Sequence, residues 1–135
     1  MPVSIADLSR DRRTFEFNTD FGPVKIQYRP YAMTPAREAD IARIGANAAN
    51  DELDEDVSKT EQGLTKIVYQ FCEVVEAWDL VGPLTDRTTG KIIIPEGERI
   101  EIKPENVRHV ASAFLIQVLT AIAKDSRPKA MPRND

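Results

Sequence analysis

Two adjoining runs near the start of the chain, TFEFNT and VKIQYR, alternate apolar and polar residues with a period of two. Phe15 and Phe17 share one face of the first run, and Val24, Ile26 and Tyr28 share one face of the second. With Asp20-Phe21-Gly22-Pro23 between them as turn chemistry, the pattern predicts a β-hairpin with one apolar side. A lone hairpin is marginal in water, so that side must lie on something else. The period then changes. Thr34 suits an N-cap, Pro35 the first helical position, and Glu38 is read as closing a capping box on the Thr34 amide. A helix is expected from Pro35 to about Ala49, with Ile41, Ile44, Gly45 and Ala48 facing inward. Small residues bury little area but let a neighbour come close, so this helix should pack tightly at few points.

The longest apolar stripe before the C-terminal third is Leu64–Leu80. Leu64, Ile67, Val68, Phe71, Val74, Val75 and Trp78 recur at the i, i+3, i+4, i+7 spacing of one helix face, with Lys66, Gln70, Glu73 and Glu76 opposite. Ser58 with Glu61 reads as its capping box, and Gly82-Pro83 as its stop. Phe71 and Trp78 are expected in the structural core. Beyond the stop, Asp86 to Gly90 and Pro95 to Glu98 are turn sequences around isoleucine-rich runs, predicting a second short hairpin with strands near 91–94 and 99–103. Pro104 then opens a last helix at its N1 position, with Glu105 against the positive dipole end. Its stripe is Val107, Val110, Ala111, Phe114, Leu115, Val118 and Ile122, and Phe114 joins the expected core.

The fold class expected from these elements is α+β: an N-terminal hairpin, two to three amphipathic helices packed together, and a second short hairpin before the C-terminal helix. A chain of 135 residues suits one compact domain over 1–123, followed by a mobile polar tail over 124–135. Residues 1–13, with Arg10, Arg12 and Arg13, read as a solvated lead-in. A net charge of −4 lacks the basic footprint of a nucleic-acid binder. No run is long enough to span a bilayer, the N-terminus has no signal-peptide core, and one cysteine suits a reducing compartment.

Catalytic chemistry is sparse. His109, the lone histidine, falls outside the last helix's stripe and is expected to face solvent, with no motif placing a nucleophile beside it. Cys72 flanks the central stripe, where a free cysteine acts as a small hydrophobe. The acidic run NDELDED over 50–56 lacks the glycine and terminal glutamate of a calcium loop and reads as a solvated linker. Neither a catalytic residue nor a metal site nor a cofactor is expected. Three apolar residues fall off the helical stripes: Tyr69, Leu80 and Ile116. They are the candidate partner-binding residues, since two helices could present a second apolar face to another polypeptide.

The order of features resembles a known family. A hairpin passes through Tyr31-Ala32-Met33-Thr34-Pro35 into a helix. A longer helix ends in Val75-Glu76-Ala77-Trp78-Asp79-Leu80, followed by Gly82-Pro83-Leu84-Thr85, an extended passage and a proline-started helix. This is similar to the tail assembly chaperones of bacteriophages with long non-contractile tails, over about Thr14 to Ala123. The isoleucine-rich segment from Lys91 to Lys103 is longer than is common in that family. The resemblance implies a non-enzymatic protein of the host cell cytoplasm that binds the tape measure protein and aids tail tube assembly. It further implies contact with tail tube protein through a longer frameshifted form, of which this chain would be the unextended product, and self-association into a homo-oligomer. Neither nucleic acid nor membrane is expected as a partner. The rival readings are a virion structural or connector protein and a small host-directed protein-binding module.

Overall fold

The computed structural model describes residues 2–49, 57–86 and 88–126, with side chains described at all of these except 47–49 and 57–64. The fold class is α+β. A short helix α1 (Ile5–Leu8), closed by a reciprocal Ser4–Asp7 capping box, leads into strands β1 (Arg13–Thr19) and β2 (Gly22–Tyr28). These pair antiparallel from Arg13 opposite Tyr28 to Thr19 opposite Gly22, so the turn is Asp20-Phe21 and Gly22-Pro23 already belong to β2. Gly22 sits at φ +130°, a backbone that a side chain would strain, and the Thr19 hydroxyl locks the turn by donating to the Gly22 carbonyl at 2.6 Å. As the alternation predicts, Val24, Ile26 and Tyr28 are buried, with Phe15 and Phe17 half-buried beside them.

A 3-10 turn over Pro30–Ala32 brings the chain to helix α2 (Pro35–Ala49), at the expected bounds. Its cap differs from the expectation. Arg37, not Glu38, occupies the third helical position, and its amide donates to Thr34 Oγ1 at 3.2 Å. The Thr34 amide turns back to the Ala32 carbonyl instead. Ile41 and Ile44 are buried, and a β-carbon at Gly45 would stand 3.2 Å from Ile116 Cγ2, the close approach that small residues permit. Ala48 lies outside the described side chains, and the acidic run 50–56 outside the described residues.

Helix α3 (Val57–Val74) starts one residue before Ser58, which is therefore inside it, and stops before the expected Leu80. Val75–Trp78 is strand β3, paired antiparallel with β2 to give the sheet order β1-β2-β3. The cause is the hairpin's open edge. The Asp79 amide donates to the Lys25 carbonyl, the Lys25 amide to Asp79 Oδ1, and the Arg29 amide to the Val74 carbonyl. A bulge explains the deceptive stripe. Tyr28 faces Val75 but Gln27 faces Ala77, so Glu76 is the extra residue. It reverses the alternation, and Val75 and Trp78, three apart, both point into the core.

Beyond Gly82, strands β4 (Leu84–Thr85) and β5 (Ile92–Ile94) form the second hairpin. The expected strand at 99–103 is corrected: the run at 98–100 pairs with 80–82 rather than with 91–94. Gly82 donates to the Glu98 carbonyl and Ile100 to that of Leu80, with a bridge from Val81 to Arg99. The last helix is also corrected, into α4 (Pro104–Val107) and α5 (Ser112–Ser126). Leu115, Val118, Leu119, Ile122 and Ala123 form the buried face of α5, and Lys124 to Ser126 complete it rather than opening the tail. The Tyr28 hydroxyl donates to the Asp125 carboxylate, fixing the end of α5 across the sheet. Residues 127–135 lie outside the described residues.

The sheet's inner face and helices α2, α3 and α5 share one core. Its aromatic centre links Phe17 to Phe114 edge-on at 5.6 Å, Phe114 to Trp78 at 6.1 Å, and Trp78 to Phe71 at 5.3 Å. Phe71 and Trp78 are buried as expected, and Phe114 is half-buried against them. Among the described residues no helix is long and apolar enough to cross a membrane.

Candidate partner-binding groove

The break between α4 and α5 opens a concavity on the surface. Pro104 fixes the first turn of α4, and three successive turn bonds carry the chain out of helix: Arg108 to the Pro104 carbonyl, His109 to that of Asn106, and Val110 to that of Val107. Beside them runs the flank of α3 that does not enter the core. Together with the β4–β5 turn they enclose a groove of about 740 Å³, lined by Val68 and Tyr69 of α3, by Asp86 and Thr88, and by Arg108 to Ser112. Val68, Val110 and Leu115 supply an apolar floor. Tyr69 is 57% exposed at the lip.

Charge is mixed along the walls. Asp86 accepts hydrogen bonds from the amides of Thr88 (2.8 Å) and Thr89 (3.4 Å), an Asx-type turn that ends at Gly90 with φ +75°. The Thr88 amide above all holds its carboxyl below the usual carboxylate range, with His109 adding a weaker attraction. Glu105 and Arg108 complete the charged rim. Cys72 lies on the same flank of α3, half-buried. Burial first, then the carboxylates of Glu105 and Glu73, push its thiol up to about 11, so it stays protonated and unreactive at neutral pH. Ser112, His109 and Asp86 all line the groove, and among the described residues no hydrogen bond links hydroxyl to imidazole to carboxylate. The arrangement can hold an apolar side chain under an exposed aromatic lip and orient it with charges of both signs. Among the described residues no cluster of metal-binding side chains occurs.

The three candidate residues are not brought together. Tyr69 is in the groove. Leu80 packs on the core at the end of β3, and its carbonyl accepts the Ile100 amide. Ile116 is half-buried and meets Gly45 of α2, so it serves packing between helices and is not the exposed surface residue expected. His109 is half-buried in the groove wall rather than facing solvent, because the break in the helix resets the phase on which that expectation rested. Sequence reasoning missed Asp86, Thr88, Arg108 and Val110 as groove residues. A signal did exist: Leu119 fits a stripe with Leu115, Val118 and Ile122 but not one that starts at Val107, which marks a new helix after Ala111. No protein-family model, curated protein or solved structure matches this chain.

Proposed function

We infer that the chain is a non-enzymatic polypeptide-binding protein, and that the polypeptide is the tape measure protein of a phage tail, held during assembly in the host cytoplasm. The observation that carries the binding reading is the exposed Tyr69 ring over an open groove with an apolar floor and charges of both signs on its rim. A groove of that volume takes one or two large side chains from a helix laid along it, the helix-in-groove mode of recognition. Aromatic residues with one free edge are the usual anchors at such surfaces. The family and client come from the order of hairpin, Thr-Pro-started helix, Trp-Asp-Leu segment and proline-started helix along the sequence.

Co-expression of the tape measure protein with the full chain tests this. The client should stay soluble and co-purify. Tyr69→Asp and Tyr69→Ala should each lower recovery by about tenfold or more while circular dichroism stays unchanged, as loss of a central anchor does. Client that is equally soluble without this chain, or recovery unaffected by both substitutions, overturns the reading. Mass spectrometry of finished particles should find the chain absent or scarce. Stoichiometric amounts would make it a connector instead.

A further inference from the structure

Strand β1 is an edge of the sheet, and its outer side carries unmade backbone bonds. Which residues point outward follows from β2. Lys25 exchanges its bonds with Asp79 on the β3 side, so Glu16, opposite Lys25, must aim its amide and carbonyl away from β2. By alternation Thr14 and Asn18 do the same. Pro23 agrees: it has no amide proton to give and sits opposite Asn18. Among the described residues nothing pairs with Thr14, Glu16 or Asn18 on that side. The strand has seven residues, and neither a proline nor a bulge interrupts it. Phe15 and Phe17, half-buried along this edge, would gain cover from a neighbouring strand.

We propose that a second copy of this chain adds its β1 antiparallel to this edge, forming a two-fold dimer with a continuous six-stranded sheet. Symmetry and the outward set leave three central registers. Glu16 opposite itself sets like charges face to face, which is destabilising. Glu16 opposite Asn18 places it diagonal to the acidic Asp20 of the other copy. Glu16 opposite Thr14 keeps it clear of Asp20 and brings it diagonal to the other copy's Arg12, which already pairs with Glu76 of its own copy. It also sets Phe15 opposite Phe15 in a non-hydrogen-bonded pair, where Cα atoms approach to about 4.5 Å. The third register is the one the charges favour. An aromatic row then runs unbroken across the dyad. The dimer interface lies on β1, apart from the groove beside Tyr69, and the inference does not rest on the identity of any client.

Sedimentation of the full chain across a wide concentration range should show a monomer–dimer equilibrium. Amide exchange read residue by residue should slow by about tenfold or more at Thr14 and Glu16 as dimer forms. Phe15 and Phe17, already bonded to β2, should be protected at every concentration. Glu16→Pro removes an outward amide without touching the β1–β2 ladder, and should give a folded monomer. A chain that stays monomeric throughout overturns the proposal. So does a dimer in which Thr14 and Glu16 still exchange freely, or a dimer that survives Glu16→Pro. Protection of Thr14 and Glu16 only when client peptide is added would assign the edge to the client and equally overturn it.

Discussion

Trp78 shows how much one side chain can hold. Its indole is buried between Phe71 and Phe114, and Nε1 donates to the Ile100 carbonyl at 2.7 Å. Trp78→Ala removes both the ring and the donor, and should cost ~3–5 kcal/mol in denaturant unfolding. Gly82 is constrained in the opposite sense. A β-carbon there would stand 2.6 Å from the Ile94 carbonyl oxygen and against that of Pro95, both backbone atoms with no room to turn aside. Gly82→Ala should therefore destabilise by about 1–3 kcal/mol, the range for overpacking, and displace the run at 94–98 in amide spectra. Ile116 belongs with the core residues. Since it seats against Gly45, Ile116→Asp should unfold the chain in the same assay, in contrast to Tyr69→Asp.

At the scale of elements, the junction of α3 and β3 carries the main lesson about reading this sequence. The first hairpin and α2 were legible because their signals are local: strict alternation over six residues, and Thr-Pro at a helix start. The strand β3 was not, because its bulge gives Val75 and Trp78 the spacing of a helix face, and because its partner β2 lies far away in sequence. The second hairpin suffered likewise. Its isoleucines announce strands, but only tertiary contacts decide that β5 takes Leu84–Thr85 while 98–100 takes 80–82. Asp79 gives the junction a test with a sign. Near the C-terminal end of a helix its charge would oppose the dipole, and removing it would stabilise. Here it accepts the Lys25 amide at 2.9 Å, so Asp79→Ala should destabilise by about 1–2 kcal/mol in thermal or denaturant unfolding. The groove was legible only at Tyr69. The rest of it arises where α4 stops, and a continuous apolar stripe hides that stop.

At the scale of the whole molecule, two protonated groups set its tolerance of alkali. Burial pushes the Tyr28 hydroxyl well above the ordinary phenol, and the hydrogen bond to Asp125 and that carboxylate's charge push it further. Cys72 is raised to about 11 from an ordinary value of 9.0, mainly by burial. In both, the folded state binds the proton more tightly than the unfolded chain does. Their contribution is therefore complete below the unfolded values and is lost as pH rises through the folded ones. The melting temperature should be level up to about pH 9 and fall beyond it, with Cys72→Ser moderating the first part of the fall. Alkylation of Cys72 should follow a thiol that ionises near 11, lagging far behind a free cysteine at pH 8 to 9.

The tie between Asp125 and Tyr28 has a consequence for the order of manufacture. Helix α5 roofs the aromatic side of the sheet, and its final turn is fastened to the second strand of the opening hairpin, nearly a hundred residues upstream. A growing chain that has reached only the 111th position has produced Phe15, Phe17, Tyr28 and Trp78 but not the helix that shelters them. Such a nascent product carries naked greasy surface and unpaired strand borders, the two ingredients of clumping. Translation must pass Ser126 before this core can close.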